Sequence, residues 1–195
     1  MKNWIATALL STLVSLPAVA ALQEGDVAPD FQLQASLDGK AFRYTLKDQL
    51  KKGPVVVYFY PSAYTGGCNI QARTFALNAE KFAAAGASVV GVSLDSIERL
   101  NKFSADPEYC AGKVAVASDP KGSVSKAFDL TVTERAGRKD TRGDDIDHAF
   151  VERTTFVINA DGKVAATVTG LAPAANVEKV LDVVQGLASK AGGKS

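Results

Sequence analysis

The chain reads as an α/β protein, with a central mixed sheet flanked by helices and a β-hairpin at its N-terminal end. Three observations predict this. Val55 to Tyr60 is an unbroken apolar run with the length and the β-branched and aromatic content of a strand buried on both faces. From there, strand-like runs alternate with one-face helical patterns, which argues for parallel strand pairs joined by right-handed crossovers. Nearer the C-terminus, two apolar runs flank Asn159-Ala160-Asp161-Gly162, a hairpin signal that makes the last two main strands antiparallel neighbours.

Residues 1–20 have the layout of a secretory signal peptide: Lys2 is the charged end, Ile5 to Leu16 the apolar stretch, and Ala18-Val19-Ala20 the cleavage pattern before Ala21. The apolar stretch is shorter than the roughly 20 residues of a spanning helix, so removal is expected rather than anchoring. Residues 21–195 then remain as one domain, periplasmic or secreted, in surroundings that tend to oxidise thiols.

Phe31-Gln32-Leu33 and Phe42 to Thr45, joined across Leu37-Asp38-Gly39-Lys40, form the leading hairpin. Lys47 to Lys52 is a polar connector, and Gly53-Pro54 marks entry to the central strand, which stops at Pro61. From Asn69 the pattern is helical, with Phe75, Ala79 and Phe82 on one face, until Gly86. Ser88 to Leu94 is the next strand. Asp95-x-x-Glu98 has the spacing of a capping box, with Asp as cap, for a helix bearing Ile97, Leu100 and Phe103 and ending before Pro107. Val114 to Ala117 is a short strand, and Gly122 to Phe128 one or two helical turns. Residues 131–149 hold four Lys or Arg and five Asp or Glu without an apolar period, and read as a solvated insertion. The single His148 at its end is expected to be a surface or hydrogen-bonded residue rather than a catalyst. Phe150 to Ile158 and Lys163 to Thr169 are the closing strands. Pro173 suits a first helical turn, and Val177, Val180, Leu181, Val184 and Leu187 give the last helix an apolar face.

With 47% apolar and 22% charged residues the composition is that of an ordinary globular protein, and 22 Lys and Arg nearly balance 21 Asp and Glu. That balance gives no footprint for nucleic acid or an anionic membrane surface, so a small or apolar partner is expected, with no membrane association after signal removal. Two cysteines, Cys68 and Cys110, exclude a multi-bridge scaffold, a thiolate zinc cluster and a Cys-x-x-Cys pair.

Cys68 is placed at a helix start. Free backbone N–H groups and the positive end of the helix dipole favour an anion there, hence the reactive thiolate. Gly66 and Gly67 let the backbone come close, and the Thr65 hydroxyl, three residues earlier, can bond the sulfur or an oxygen bound beside it. An inert buried cysteine filling a helix start is the plain alternative.

Pro61-x-x-x-Thr65-x-x-Cys68 resembles the active-site signature of the peroxiredoxins, the alkyl hydroperoxide reductase and thiol-specific antioxidant superfamily. Gly25-Asp26-Val27-Ala28-Pro29-Asp30-Phe31 resembles the family's opening segment, and Arg153-Thr154-Thr155-Phe156-Val157-Ile158 the strand carrying its second active-site cation. The likeness covers nearly all of residues 22–188 and implies a thioredoxin-like fold, of the PrxQ-like or thiol-peroxidase-like branch. It further implies that Pro61 shields the thiolate and that Arg153 favours the thiolate and orients a peroxide oxygen. Read without the resemblance, Arg153 is an edge-strand charge or a partner of Glu152. Two positions depart from the pattern: Gln71 stands where many relatives have Glu, and Arg73 where the PrxQ-like branch often has its second cysteine. Cys110 is the remaining candidate for a resolving cysteine.

The expected activity is thiol-dependent reduction of hydrogen peroxide or alkyl hydroperoxides, with no metal, flavin or haem. Cys110 or an external thiol reductant, such as a thioredoxin-like protein, would complete the cycle. Two other readings are a thiol-disulfide oxidoreductase and a non-catalytic, redox-sensing domain with a Cys68–Cys110 bridge. The first lacks paired cysteines, and Val151-Glu152-Arg153-Thr154 lacks the proline such reductases carry before the corresponding strand.

Overall fold

The leading hairpin consists of β1 (Gln32–Leu37) and β2 (Lys40–Thr45), turning through Asp38 and Gly39, both at positive φ as an Asp-Gly turn requires. This is a computed structural model that describes residues 21–193; the signal peptide read at residues 1–20 lies outside the described residues. Where a polar connector is expected, Leu46–Leu50 winds into helix α1. Leu46 is its one buried anchor, and five residues with one anchor leave no period to read.

The central strand β3 (Val55–Phe59) leads into α2 (Gly66–Ala84), followed by β4 (Ser88–Ser93), α3 (Ile97–Ala105), β5 (Ala115–Ser118) and α4 (Ser123–Ala127). Helix α3 corrects the capping assignment. Its N-cap is Ser96, whose hydroxyl accepts from Arg99 N, while Asp95 is wholly buried and turned inward.

Residues 131–149 are more ordered than their charge pattern suggests. β6 (Val132–Thr133) and β7 (Arg138–Lys139) lie within them, as does β8 (Asp145–Ile146), and β9 (Phe150–Val151) follows. β6 pairs with β9 and β7 with β8, both antiparallel. The run expected as one strand from Phe150 to Ile158 is therefore broken at Glu152 and Arg153. Its first two residues pair with the insertion, while β10 (Thr154–Ile158) enters the main sheet. β11 (Val164–Thr169) and α5 (Pro173–Gly192) complete the chain.

The main sheet has the order β11-β10-β3-β4-β5-β1-β2. β3, β4 and β5 are parallel, β10 runs antiparallel to both β3 and β11, and the hairpin extends the far edge through β1 against β5. Alternation along β3 sends Val56 and Tyr58 to one face, where α2, α3 and α5 pack, and Val55, Val57 and Phe59 to the other, covered by α1 and α4. Both faces are buried, as the continuous apolar run requires. Among the described residues no helix is long and apolar enough to cross a membrane.

Candidate active site

The C-terminal end of β3 delivers the chain to the Pro61–Thr65 turn. Thr65 is the N-cap of α2 with extended backbone, and the first intrahelical bond runs from Asn69 N to Thr65 O (2.8 Å). Gly66, Gly67 and Cys68 are thus the first-turn residues, whose N–H groups have no carbonyl within the helix to bond. Cys68 is 2% exposed, and the Arg153 Nη2 donates to its sulfur at 3.2 Å.

Arg153 stands at the break between β9 and β10, level with the start of α2. Its position is set by a buried chain of amides. Nη1 donates to Gln71 Oε1, Gln71 Nε2 donates to Asn176 Oδ1 (3.0 Å), and Asn176 Nδ2 donates to Val168 O (3.2 Å). Thr155 Oγ1 donates to the same Asn176 oxygen at 2.8 Å. A guanidinium has no acceptor, so its contact fixes Gln71 with oxygen outward, and that choice fixes the polarity of every later link. Gln71, Thr155 and Asn176 are all fully buried and all satisfied. Glu152 takes no part; its carboxylate accepts from Thr131 N.

Pro61, Thr65, Gly66, Cys68 and Arg153 line one wall of a cavity of about 610 Å³, and residues from 131–152 form the other. The Thr65 hydroxyl donates to Ser62 O at 2.8 Å rather than to the sulfur, which leaves its lone pairs to accept from a hydroxyl entering the cavity.

The turn itself is held by groups that sequence reading did not connect to the site. Asp95 Oδ1 accepts from Ser62 Oγ (2.9 Å) and His148 Nε2 (2.9 Å), and pairs with Arg99 Nε (3.0 Å). Its Oδ2 accepts from Ala63 N (2.8 Å) and Ser93 Oγ (2.7 Å). Burial pushes the Asp95 carboxyl up, but His148, Ser93 and Ala63 outweigh it, and the net shift is downward. For His148, burial pulls the imidazole down, yet the bond and charge of Asp95 prevail and the net shift is upward. His148 does not line the cavity; it is the hydrogen-bonded residue its isolation suggested.

Tyr64 has a φ of 60°, uncommon for a bulky residue. Thr141 N and Oγ1 both donate to its carbonyl (2.9 and 2.8 Å), and the Arg142 guanidinium lies 3.3 Å from its ring centre. Arg99 and Arg142 both bind Asp140, which is buried between them. The insertion is therefore a clamp on the turn preceding Cys68.

Cys110 is fully buried in the turns after α3, is a free thiol like Cys68, and does not line the cavity. Burial, and then the charge of Asp106, push its thiol up. Arg73 Nη1 donates to Pro107 O at 2.8 Å, tying the segment that leads to Cys110 onto α2.

A parallel β3-β4-β5 core, with an antiparallel β10 bringing a guanidinium to a cysteine at a helix start, defines a thioredoxin-like protein built for thiol chemistry. The chain belongs to the AhpC/TSA family, whose sequence profile matches residues 25–167. It is 34% identical over 143 residues to Peroxiredoxin Bcp of Escherichia coli K12, covering 73% of this chain and 83% of that one. Among solved structures it is similar to peroxidoxin BcpB from Mycobacterium tuberculosis, with a TM-score of 0.71 and 31% identity over 85% of this chain and 97% of the other. It is also similar to the Xanthomonas campestris bacterioferritin comigratory protein, a structure described for alkyl peroxide reduction, with a TM-score of 0.66 and 28% identity over 87% and 99% of the two chains.

Proposed function

We propose that this chain is a thiol-dependent peroxidase in which Cys68 is the peroxidatic residue. The observation that carries this is the Arg153 Nη2 placed 3.2 Å from Cys68 Sγ at the start of α2, inside a cavity that also presents Thr65. The thiolate sulfur attacks the terminal oxygen of the hydroperoxide, an S–O bond forms and the O–O bond breaks. The departing oxygen takes one proton and leaves as water or an alcohol, and Cys68 is left as a sulfenic acid. Thr65 Oγ1 accepts from the peroxide hydroxyl, while the guanidinium and the helix-start amides stabilise the charge moving onto the leaving oxygen. Pro61 limits water at the sulfur.

The second half-reaction returns a thiol. Either Cys110 or an external thiol, such as that of a thioredoxin-like protein, condenses with the sulfenic acid, releasing water and forming a disulfide, and a further external thiol then reduces that disulfide by exchange and frees Cys68. Lys2 to Ala20 direct export, so the enzyme works outside the cytoplasm. N-terminal sequencing of protein from separated cell fractions tests that assignment, and a cytoplasmic chain still beginning at Met1 would overturn it.

The peroxidase reading is tested by titrating free thiols before and after one equivalent of hydrogen peroxide, alongside competition kinetics. One thiol per chain is lost if Cys68 stops at the sulfenic acid and two if Cys110 condenses with it, and Cys68→Ser consumes no peroxide, since a serine hydroxyl stays un-ionised at neutral pH. Undiminished turnover in that variant would sink the assignment.

A further inference from the structure

We propose that Arg135 and Arg138 form an anion subsite at the mouth of the Cys68 cavity, which selects hydroperoxides carrying a carboxylate or similar anionic group away from the O–O bond. The inference rests on the peroxidase reading and adds a substrate class to it.

The cavity volume of about 610 Å³ lies in the range that holds a drug-sized ligand, far beyond the needs of hydrogen peroxide. Its wall beyond the sulfur is two-sided in character: Ile146, Phe150 and Val151 are apolar, and the charges around them are mainly positive. Four cations line the cavity, against Asp140 and Glu152. Asp140 is buried between Arg99 and Arg142, and Glu152 accepts from Thr131 N. Lys139 pairs with Asp145 at 2.7 Å, and Arg153 is committed to Cys68 and Gln71. Arg135 and Arg138 are left, exposed and with no ion pair or side-chain hydrogen bond among the described residues. Arg138 is not on a loose loop. It lies in β7 directly opposite Ile146 of β8, and both line the cavity, so its charge is presented beside an apolar wall. A ligand with an apolar stem and an anionic end fits that order of groups, its hydroperoxide reaching Cys68. The anionic group takes no part in the bond changes and acts by positioning and by electrostatic attraction.

Reduced protein lacking residues 1–20 is mixed in stopped flow with cumene hydroperoxide, its 4-carboxylate, the methyl ester of that carboxylate, and hydrogen peroxide. At low salt the carboxylate should react roughly three- to tenfold faster than its ester, as suits two exposed ion pairs. The ratio should fall toward one as ionic strength rises, a comparison that needs no variant. It should fall likewise in Arg135→Ala/Arg138→Ala. A ratio near one at low salt while hydrogen peroxide is consumed overturns the subsite alone, as does a preference that survives both salt and the double variant. Failure to consume any of the four compounds overturns the peroxidase reading, and the subsite with it.

Discussion

Gly67 lies directly beneath Arg153: a β-carbon at this glycine would stand 3.2 Å from Nη2, the nitrogen that donates to Cys68, and 3.3 Å from the Pro173 ring. The Pro173 ring closes the other side, so Gly67→Ala should displace the guanidinium by a few tenths of an ångström. Ala suits a helix better than Gly, so the fold should hold. The second-order rate constant for peroxide should fall about tenfold, equivalent to about 1.4 kcal/mol of transition-state stabilisation. An unchanged constant by competition kinetics would mean that the fit of Arg153 to the sulfur is not rate-determining.

Asn176 contacts neither sulfur nor cavity, yet it anchors the amide chain behind Arg153. Asn176→Ala removes the acceptor of both Gln71 Nε2 and Thr155 Oγ1, leaving two buried donors unpaired. A loss of roughly 2–4 kcal/mol in urea unfolding is expected, together with slower peroxide reduction because Gln71 is free to turn. Stability lost with the rate intact would reduce the chain to a packing device.

The Asp95–His148 pair predicts a pH dependence of stability. His148 is raised from its ordinary 6.5, so its contribution is complete below that value and is lost as pH rises through the folded one. Asp95 is lowered from 3.8, so its contribution is present above that value and is lost as pH falls through the folded one. The advantage of wild type over His148→Gln should therefore be greatest between about pH 4 and 6.5 and shrink at higher pH. A difference that stays flat from pH 6 to 9 in denaturant titrations would contradict it.

Arg73 holds the approach to Cys110 against α2. If Cys110 resolves the sulfenic acid, its segment must first open, and Arg73→Ala should accelerate formation of the Cys68–Cys110 disulfide. Rapid quench and intact mass, following loss of two hydrogens after one equivalent of peroxide, read this directly. A lasting sulfenic acid with a free Cys110 in both proteins would assign resolution to an external thiol.

The parts of this site legible in the sequence are local ones. A strand, a break and a cysteine at a helix start lie within residues 55–68, and each announces itself through neighbours a few positions away. Asp95-x-x-Glu98 looks the same whether the carboxylate caps a helix or turns inward; the difference lies in Ser62, Ala63 and His148, which no local pattern connects to Asp95. The charges of residues 131–149 suggest a solvated segment because a sequence carries their number and not their directions. Asp140 points inward between two guanidiniums, and Thr141 holds the carbonyl of Tyr64. Gln71 stood out only as a departure from Glu. Its work depends on Asn176, 105 positions away.

Such separations also bear on when the protein becomes chemically competent as it folds. Cys68 meets Arg153 across 85 positions, and Gln71 meets Asn176 across 105. Contacts this distant form late, after the loop-closure entropy between them has been overcome. A chain emerging N-terminus first carries its cysteine long before the strand end and helix that complete its surroundings exist. Until β10 and α5 dock, Cys68 has its helix start but not the Arg153 guanidinium or the amide chain that holds it, so full reactivity toward peroxide should report completed folding, rising in step with the last elements to settle.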